Sequence, residues 1–205
     1  MGHAGFESAC GDGVPIFNLA RHCLPACKVL KFEAILNTTT NVILQEMEVN
    51  DVTMEEGLKR AQEMGIAEAD PSGDIDGYDA AVKCICLARV LMGANRPESI
   101  EGVHRDSLRV VSLAEVRSTL PNRIKFVCTG QINEATSTVE LAVRKTVVSP
   151  QDFMLYNVCG ADNVWRFEFD NLCPITLVQH NGTTRDTGYG LLADLLDVLG
   201  YCQRP

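Results

Sequence analysis

At 205 residues the chain is long enough to bury one sizeable core, with at most a small appendage. Apolar residues at 46% and charged residues at 22% are ordinary for a soluble globular protein, and no apolar run reaches the roughly 18–20 residues of a membrane span. The net charge of −9, from 18 basic and 27 acidic residues, speaks against a nucleic-acid partner, which needs a basic surface to neutralise phosphates.

The start, Met1-Gly2-His3-Ala4-Gly5-Phe6, lacks a secretory pattern and has Phe6 where a myristoylation motif wants Ser or Thr, so the cytoplasm is the expected compartment. Leu30–Leu36 reads as a strand leading into a Thr-rich turn, Asn37-Thr38-Thr39-Thr40-Asn41, followed by a short helix over Val42–Glu48. Thr53 with Glu56 three residues on is a capping box, and the helix it opens stops at Gly65. Asp70-Pro71-Ser72-Gly73 is a turn signal. A second helix follows Gly77, runs to about Met92 and ends at Gly93. Ser112–Thr119 reads as a short helix, and Arg123–Ile132 with Thr136–Val143 as a hairpin around Asn133-Glu134-Ala135. Val164–Phe169 and Ile175–Val178 are strands, and Gly188–Leu199 is apolar at helical spacing. Helices and strands mix without regular βαβ alternation, which predicts an α+β fold, a mixed β-sheet with helices packed on it.

From Glu46 to Asp79 eleven acids face only Lys59 and Arg60, so this stretch accounts for the whole net charge. Up to Glu63 the acids suit a solvated helix face. The later ones, Glu68, Asp70, Asp74 and Asp76, sit in a Pro/Gly-bearing loop just before an almost wholly apolar helix, Ala80–Met92. Lys83 lies inside that helix, with Asp79 four residues earlier on the same face. Burial lowers a lysine's pKa and suits it to proton transfer near neutrality. An exposed Asp–Lys pair worth about 0.3–0.5 kcal/mol is the plainer alternative. Asp74 or Asp76 could cap the helix. Carboxylates converging near one ammonium also suit a small cationic substrate such as an amino acid. The nine cysteines are expected to be free thiols; His22-Cys23-x3-Cys27 lacks the second ligand pair of a zinc site.

The run Ala61-x3-Gly65-Ile66-Ala67-x2-Asp70-Pro71-x2-Asp74-Ile75-x-Gly77-x-Asp79-x3-Lys83 resembles the homoserine dehydrogenase signature at every constrained position. Three further segments are similar to family elements, in the family's order. They are the glycine loop Glu7–Ile16, the segment Ile35–Asn41, which resembles the family's Leu-Asn-Gly-Thr-Thr-Asn element, and the closing helix Arg185–Leu196. The resemblance implies residues 1–205 as a catalytic and dimerisation domain. It also implies NADP- or NAD-dependent interconversion of L-homoserine and L-aspartate 4-semialdehyde, in the biosynthesis of threonine and methionine. Carried over by position, Lys83 is the general acid/base and Asp79 orients it and binds substrate. Glu68 and Asp74 hold the substrate's amino end, and Thr39 lines its pocket. Gly65, Gly11, Gly13 and Gly182 are the cofactor-side glycines. A sodium ion is implied at Glu7 and the main-chain carbonyls of Cys10, Asp12 and Val14, oxygen ligands that suit a hard ion.

The sequence also departs from the family pattern. A nucleotide-binding Rossmann domain, typically on the order of 100–150 residues, is expected ahead of Gly11, where ten residues stand, and Ile16 replaces the third glycine of a dinucleotide fingerprint. Ile66 stands where many members carry an aromatic residue, and His180-Asn181-Gly182-Thr183-Thr184 is a degraded glycine loop. A homodimer, or pairing with a separate nucleotide-binding domain, is therefore expected. The competing readings are a non-enzymatic paralogue that binds an amino acid or a partner subunit, and a dehydrogenase of another hydroxy acid.

Overall fold

Six strands form one mixed sheet: β1 Val29–Ile35, β2 His104–Arg105, β3 Arg123–Asn133, β4 Thr138–Val148, β5 Asn163–Phe169 and β6 Ile175–Gln179. The computed structural model describes residues 5–93 and 99–200, so Met1–Ala4 and Cys202 lie outside the described residues. The strand order is β2-β4-β3-β1-β5-β6, antiparallel throughout except for the parallel β2–β4 pair. Among the described residues eight α-helices accompany it: α1 Ile16–Asn18, α2 Thr38–Asn50, α3 Met54–Glu63, α4 Ser72–Ile75, α5 Tyr78–Leu91, α6 Leu113–Thr119, α7 Phe153–Tyr156 and α8 Thr184–Val198. This is the expected α+β mixed sheet with helices packed on it. No described helix is long and apolar enough to cross a membrane.

Side-chain alternation along the strands gives the sheet two unlike faces. Phe32, Cys128, Val143, Trp165 and Phe167 face Ile43 and Met47 of α2 and Cys84 and Leu87 of α5, forming the main core. The alternate positions Ile35, Val127, Val148 and Val164 form a second, smaller cluster with Leu155 of α7 and Val158. Beyond that cluster the second face turns polar, with Lys31, Glu33, Arg166 and Glu168 joined by ion pairs. Gly130 is required opposite β1: a Cβ there would meet the Phe32 ring at 2.2 Å.

Local signals explain most boundaries, and three expectations need correction. α2 begins at Thr38, inside the stretch read as a Thr-rich turn. Asn37 caps it, its side chain accepting the Thr40 N–H at 2.9 Å, and burial of Thr39 and Thr40 outweighs the weak helix preference of threonine. Neither Asp74 nor Asp76 caps α5. Gly77 holds that position in left-handed backbone (φ +73°), while Asp76 is taken by Arg109 and the Ser107 hydroxyl. α8 starts four residues before Gly188 because Thr183 and Asp186 form a capping box. At α3 both predicted capping-box bonds are present, and Gly65 ends the turn at φ +72°.

Candidate active site

The end of β1 runs into Asn37, which sits opposite the start of α5, and this juxtaposition builds the site. Asp79 and Lys83 stand one helical turn apart on α5, with Asp79 Oδ2 and Lys83 Nζ 2.8 Å apart. Lys83 Nζ also donates to the Leu36 carbonyl oxygen at 3.2 Å. An ammonium has three N–H donors; two are used here, and the third has no partner among the described residues. Asp74, on α4, accepts from the Asn37 amide at 2.7 Å and from the Thr39 hydroxyl at 2.7 Å. The same Asn37 amide reaches Asp79 Oδ2 at 3.1 Å. Asn37 thereby joins the two acids, while its own carbonyl oxygen caps α2.

Of the residues singled out in the sequence, Lys83, Asp79, Asp74 and Thr39 are brought together. Glu68 is exposed on the adjoining loop, its carboxylate free of hydrogen bonds and ion pairs among the described residues. Asn37 and the Leu36 carbonyl were missed as site groups. The signal for Asn37 was available: an Asn followed by threonines between a strand and a helix is a capping pattern, and a capping amide keeps its N–H donors free.

The burial predicted for Lys83 is found elsewhere. The Lys83 side chain is 25% exposed and ion-paired, whereas Lys125 on β3 is 3% exposed. Burial lowers Lys125 from the ordinary lysine value to about 8. Its ammonium donates to Asn41 Oδ1 at 2.9 Å and to the Val158 carbonyl at 2.5 Å. α5 starts immediately after the capping turn, so its Lys83 end opens toward Asn37 instead of into the core.

The glycines divide in two. Gly65 has open space where a Cβ would project, leaving its backbone approachable. Gly11, Gly13 and Gly182 are closed by packing instead. A Cβ on Gly11 would meet the buried Trp165 ring at 2.1 Å, on Gly13 the Asp186 carbonyl at 2.4 Å, and on Gly182 the Asp12 carboxylate at 2.2 Å.

In the N-terminal loop, Glu7 is 2% exposed. Its carboxylate accepts the Phe17 and Asn18 N–H groups at 2.7 and 3.0 Å, and its own N–H donates to Asp194 Oδ2 at 2.9 Å. Burial raises the Glu7 pKa, the two backbone hydrogen bonds oppose the rise, and the neighbouring Asp194 charge adds to it. The Val14 carbonyl accepts the Ile16 N–H at 2.8 Å. The donors are all oxygens, and a cation there would offset the Glu7 and Asp194 charges. Among the described residues no cluster of His, Cys, Asp and Glu side chains suits a metal ion, and Cys23 and Cys27 are free.

Four thiols lie in or beside α5: Cys84 and Cys86 within it, Cys10 and Cys128 against it. Cys10 Sγ donates to the Lys83 carbonyl at 3.7 Å, Cys84 Sγ to the Ala142 carbonyl at 3.9 Å and Cys128 Sγ to the Ala80 carbonyl at 3.8 Å. The neighbouring Cys10 thiol brings the Cys86 thiol down to about 7, against burial and with help from the Arg89 charge, and Cys10 is pushed up.

A family model described as homoserine dehydrogenase matches residues 15–196. The homoserine dehydrogenase of Methanocaldococcus jannaschii is 35% identical over 195 residues, a match covering 94% of this chain and 55% of that protein. The crystal structure of a homoserine dehydrogenase from Thiobacillus denitrificans superposes with a TM-score of 0.85 at 31% identity, over 94% of this chain and 44% of that one. A hyperthermophilic archaeal homoserine dehydrogenase in complex with NADPH gives a TM-score of 0.74 at 26% identity, over 97% of this chain and 56% of that one. The chain thus spans about half the length of the relatives it matches.

Proposed function

The chain belongs to the homoserine dehydrogenase family, and we propose that it supplies the substrate-binding, acid–base half of an NADP- or NAD-dependent homoserine dehydrogenase of the cytoplasm. The observation that carries this reading is the Asn37–Asp74–Asp79–Lys83 constellation, with one ammonium donor to spare. A nicotinamide held beside the open Gly65 backbone would supply the hydride acceptor for the hydroxyl-bearing carbon of homoserine.

The chain's own residues then do the rest. As the neutral amine, Lys83 turns its lone pair to the homoserine hydroxyl and takes that proton during oxidation; as the ammonium, it donates through its third N–H and returns the proton to the carbonyl oxygen in the reverse direction. Asp79 and the Leu36 carbonyl fix the direction in which that N–H points. Asp74 is held by Asn37 and Thr39 with acceptor capacity left over, and binds the substrate's α-ammonium; Glu68 reaches the same end from the exposed loop. Gly65 offers open backbone to the cofactor. A sodium ion at Glu7 and the Cys10, Asp12 and Val14 carbonyls would steady the loop beside α8. The non-enzymatic reading draws support from Asp12, whose carboxylate occupies the space beside Gly182.

Calorimetry with L-homoserine tests the substrate side directly. Asp74→Asn removes a charged hydrogen-bond acceptor worth about 1.5–3 kcal/mol, so the dissociation constant is expected to rise roughly 10- to 100-fold. An unchanged constant would sink the assignment of Asp74.

For partners, we propose two contacts. The first is a nucleotide-binding domain on α8, where Tyr189, Leu191 and Leu195 are exposed, with Leu199 exposed just past its end. The second is a second copy of the chain on the open, polar face of the sheet. Sedimentation is expected to show a species of twice the chain mass; a single species of monomer mass at all concentrations would remove the dimer.

A further inference from the structure

Asp74 stands before the turn between α4 and α5 and Asp79 after it, and only Asp76 and Gly77 separate the two helices. One segment, Arg105–Arg109, grips this turn. The Arg109 guanidinium meets the Asp76 carboxylate at two points, Nε to Oδ1 at 2.9 Å and Nη2 to Oδ2 at 3.2 Å. The Ser107 hydroxyl donates to Asp76 Oδ1 at 2.8 Å, with the Ile75 carbonyl oxygen 3.3 Å from the same hydroxyl. A Cβ on Gly77 would lie 3.3 Å from the Asp106 carbonyl oxygen, and the Arg105 guanidinium stands 4.4 Å from the Tyr78 ring centre. The gripping segment is itself tied to the sheet. Asp106 donates its N–H to the Val143 carbonyl at 2.9 Å, and its carboxylate accepts the Lys145 N–H at 2.8 Å.

We propose that Asp76 is a positioning residue: gripped by Arg109 and Ser107, it sets the turn so that Asp74 and the Asp79–Lys83 pair meet one substrate molecule together. Asn37 joins the two acids from the end of β1. Asp76 fixes the same spacing from the segment tied to β4. The ion pair is partly exposed, 54% at Arg109 and 30% at Asp76, and a pair of that kind adds little to global stability. Its value lies in its place, between the residue that binds the amino end and the residue that orients Lys83. The two-point contact of a planar guanidinium fixes direction as well as distance, which the point charge of a lysine does not. This inference rests on the reading of Asp74 and Lys83 as the substrate site, and adds to it residues that touch no substrate.

The test compares the whole chain with Asp76→Ala, Arg109→Gln, Arg109→Lys and the double variant Asp76→Ala/Arg109→Gln. Hydrogen exchange of the Asn37 side-chain amide, followed by NMR, reports on the join between the two acids without any substrate. It is expected to quicken about tenfold in Asp76→Ala and in Arg109→Gln. Calorimetry should show the dissociation constant for L-homoserine raised about fivefold or more in each, and no further in the double variant, because the two residues act as one unit. Arg109→Lys should recover only part of the loss, since it keeps the charge without the fork. The urea midpoint should stay near that of the parent. Unchanged Asn37 exchange would overturn the grip, and faster exchange with unchanged homoserine affinity would overturn the positioning. Effects that add in the double variant, or that follow a fall in the urea midpoint, would also overturn it, as ordinary losses of stability. If the parent gives no heat with homoserine, the substrate reading falls, while the Asn37 exchange still decides the grip.

Discussion

Lys83→Met is expected to lower the rate of homoserine oxidation by roughly 10²- to 10⁴-fold once a nucleotide-binding half is supplied, the range a positioned general acid/base contributes. Methionine keeps the length and apolar stem of lysine, so the packing of that stem survives while all three N–H donors are lost. Asp79 then loses a partner but is exposed enough to be rehydrated, and the Leu36 carbonyl loses one hydrogen bond. The cost therefore falls on the proton transfer step. The measurement is kcat against KM with homoserine and NADP, and the fall is expected mainly in kcat, because Asp74, Thr39 and Asn37 still hold the amino end. Asp79→Asn should give a smaller loss, since asparagine can still accept from Lys83 and only the charge that steadies the ammonium is gone. A Lys83→Met rate within a few-fold of the parent would remove Lys83 from the chemistry.

The site was legible in the sequence to the extent that its residues share one helix or one turn. Asp79 and Lys83 are four apart, and helical periodicity put them on one face; the structure has them 2.8 Å apart. Asp74 was visible as an acid near that helix, yet its partner was misjudged. Local reasoning offered a helix cap, whereas the structure gives it the Asn37 amide and the Thr39 hydroxyl from a segment 35 residues or more away in sequence. No periodicity reports a contact of that kind. The same limit explains Lys83 and Lys125. An apolar neighbourhood in sequence suggested that Lys83 was buried, but the helix presents its first turns to the site. Lys125 looked ordinary in an alternating strand because the segment that covers it, around Val158, returns from 33 residues further on. For the fold, alternation and capping patterns located the principal strands and most long helices. They failed where burial overrides propensity, as at the start of α2.

Lys125 carries the second large expected effect. Its pKa in the folded chain is depressed to about 8 from the ordinary 10.5, chiefly by burial. Below about pH 8 the group is charged whether the chain is folded or not, and the full cost of burying that charge weighs against folding. Between about 8 and 10.5 the folded chain releases the proton first. The unfolded chain then binds more protons, so stability rises with pH across that window. The gain between pH 7 and pH 10 is expected to be about 2 kcal/mol. Arg123, Glu48, Cys159 and Asp162 also act on it, and other groups titrate across this range, so the quantity to measure is a difference. Urea unfolding of the parent chain and of Lys125→Met at pH 7 and pH 10 should show the parent gaining on the variant as pH rises; parallel curves would refute the assignment. The balance bears on the site, because the same ammonium that is costly to bury also holds Asn41 at 2.9 Å and the Val158 carbonyl. Asn41 in turn donates to the Gly160 carbonyl, one turn along α2 from Asn37. Lys125 thus ties the first turns of α2, and with them the residue that links Asp74 to Asp79, to the segment packed on the opposite face of the sheet.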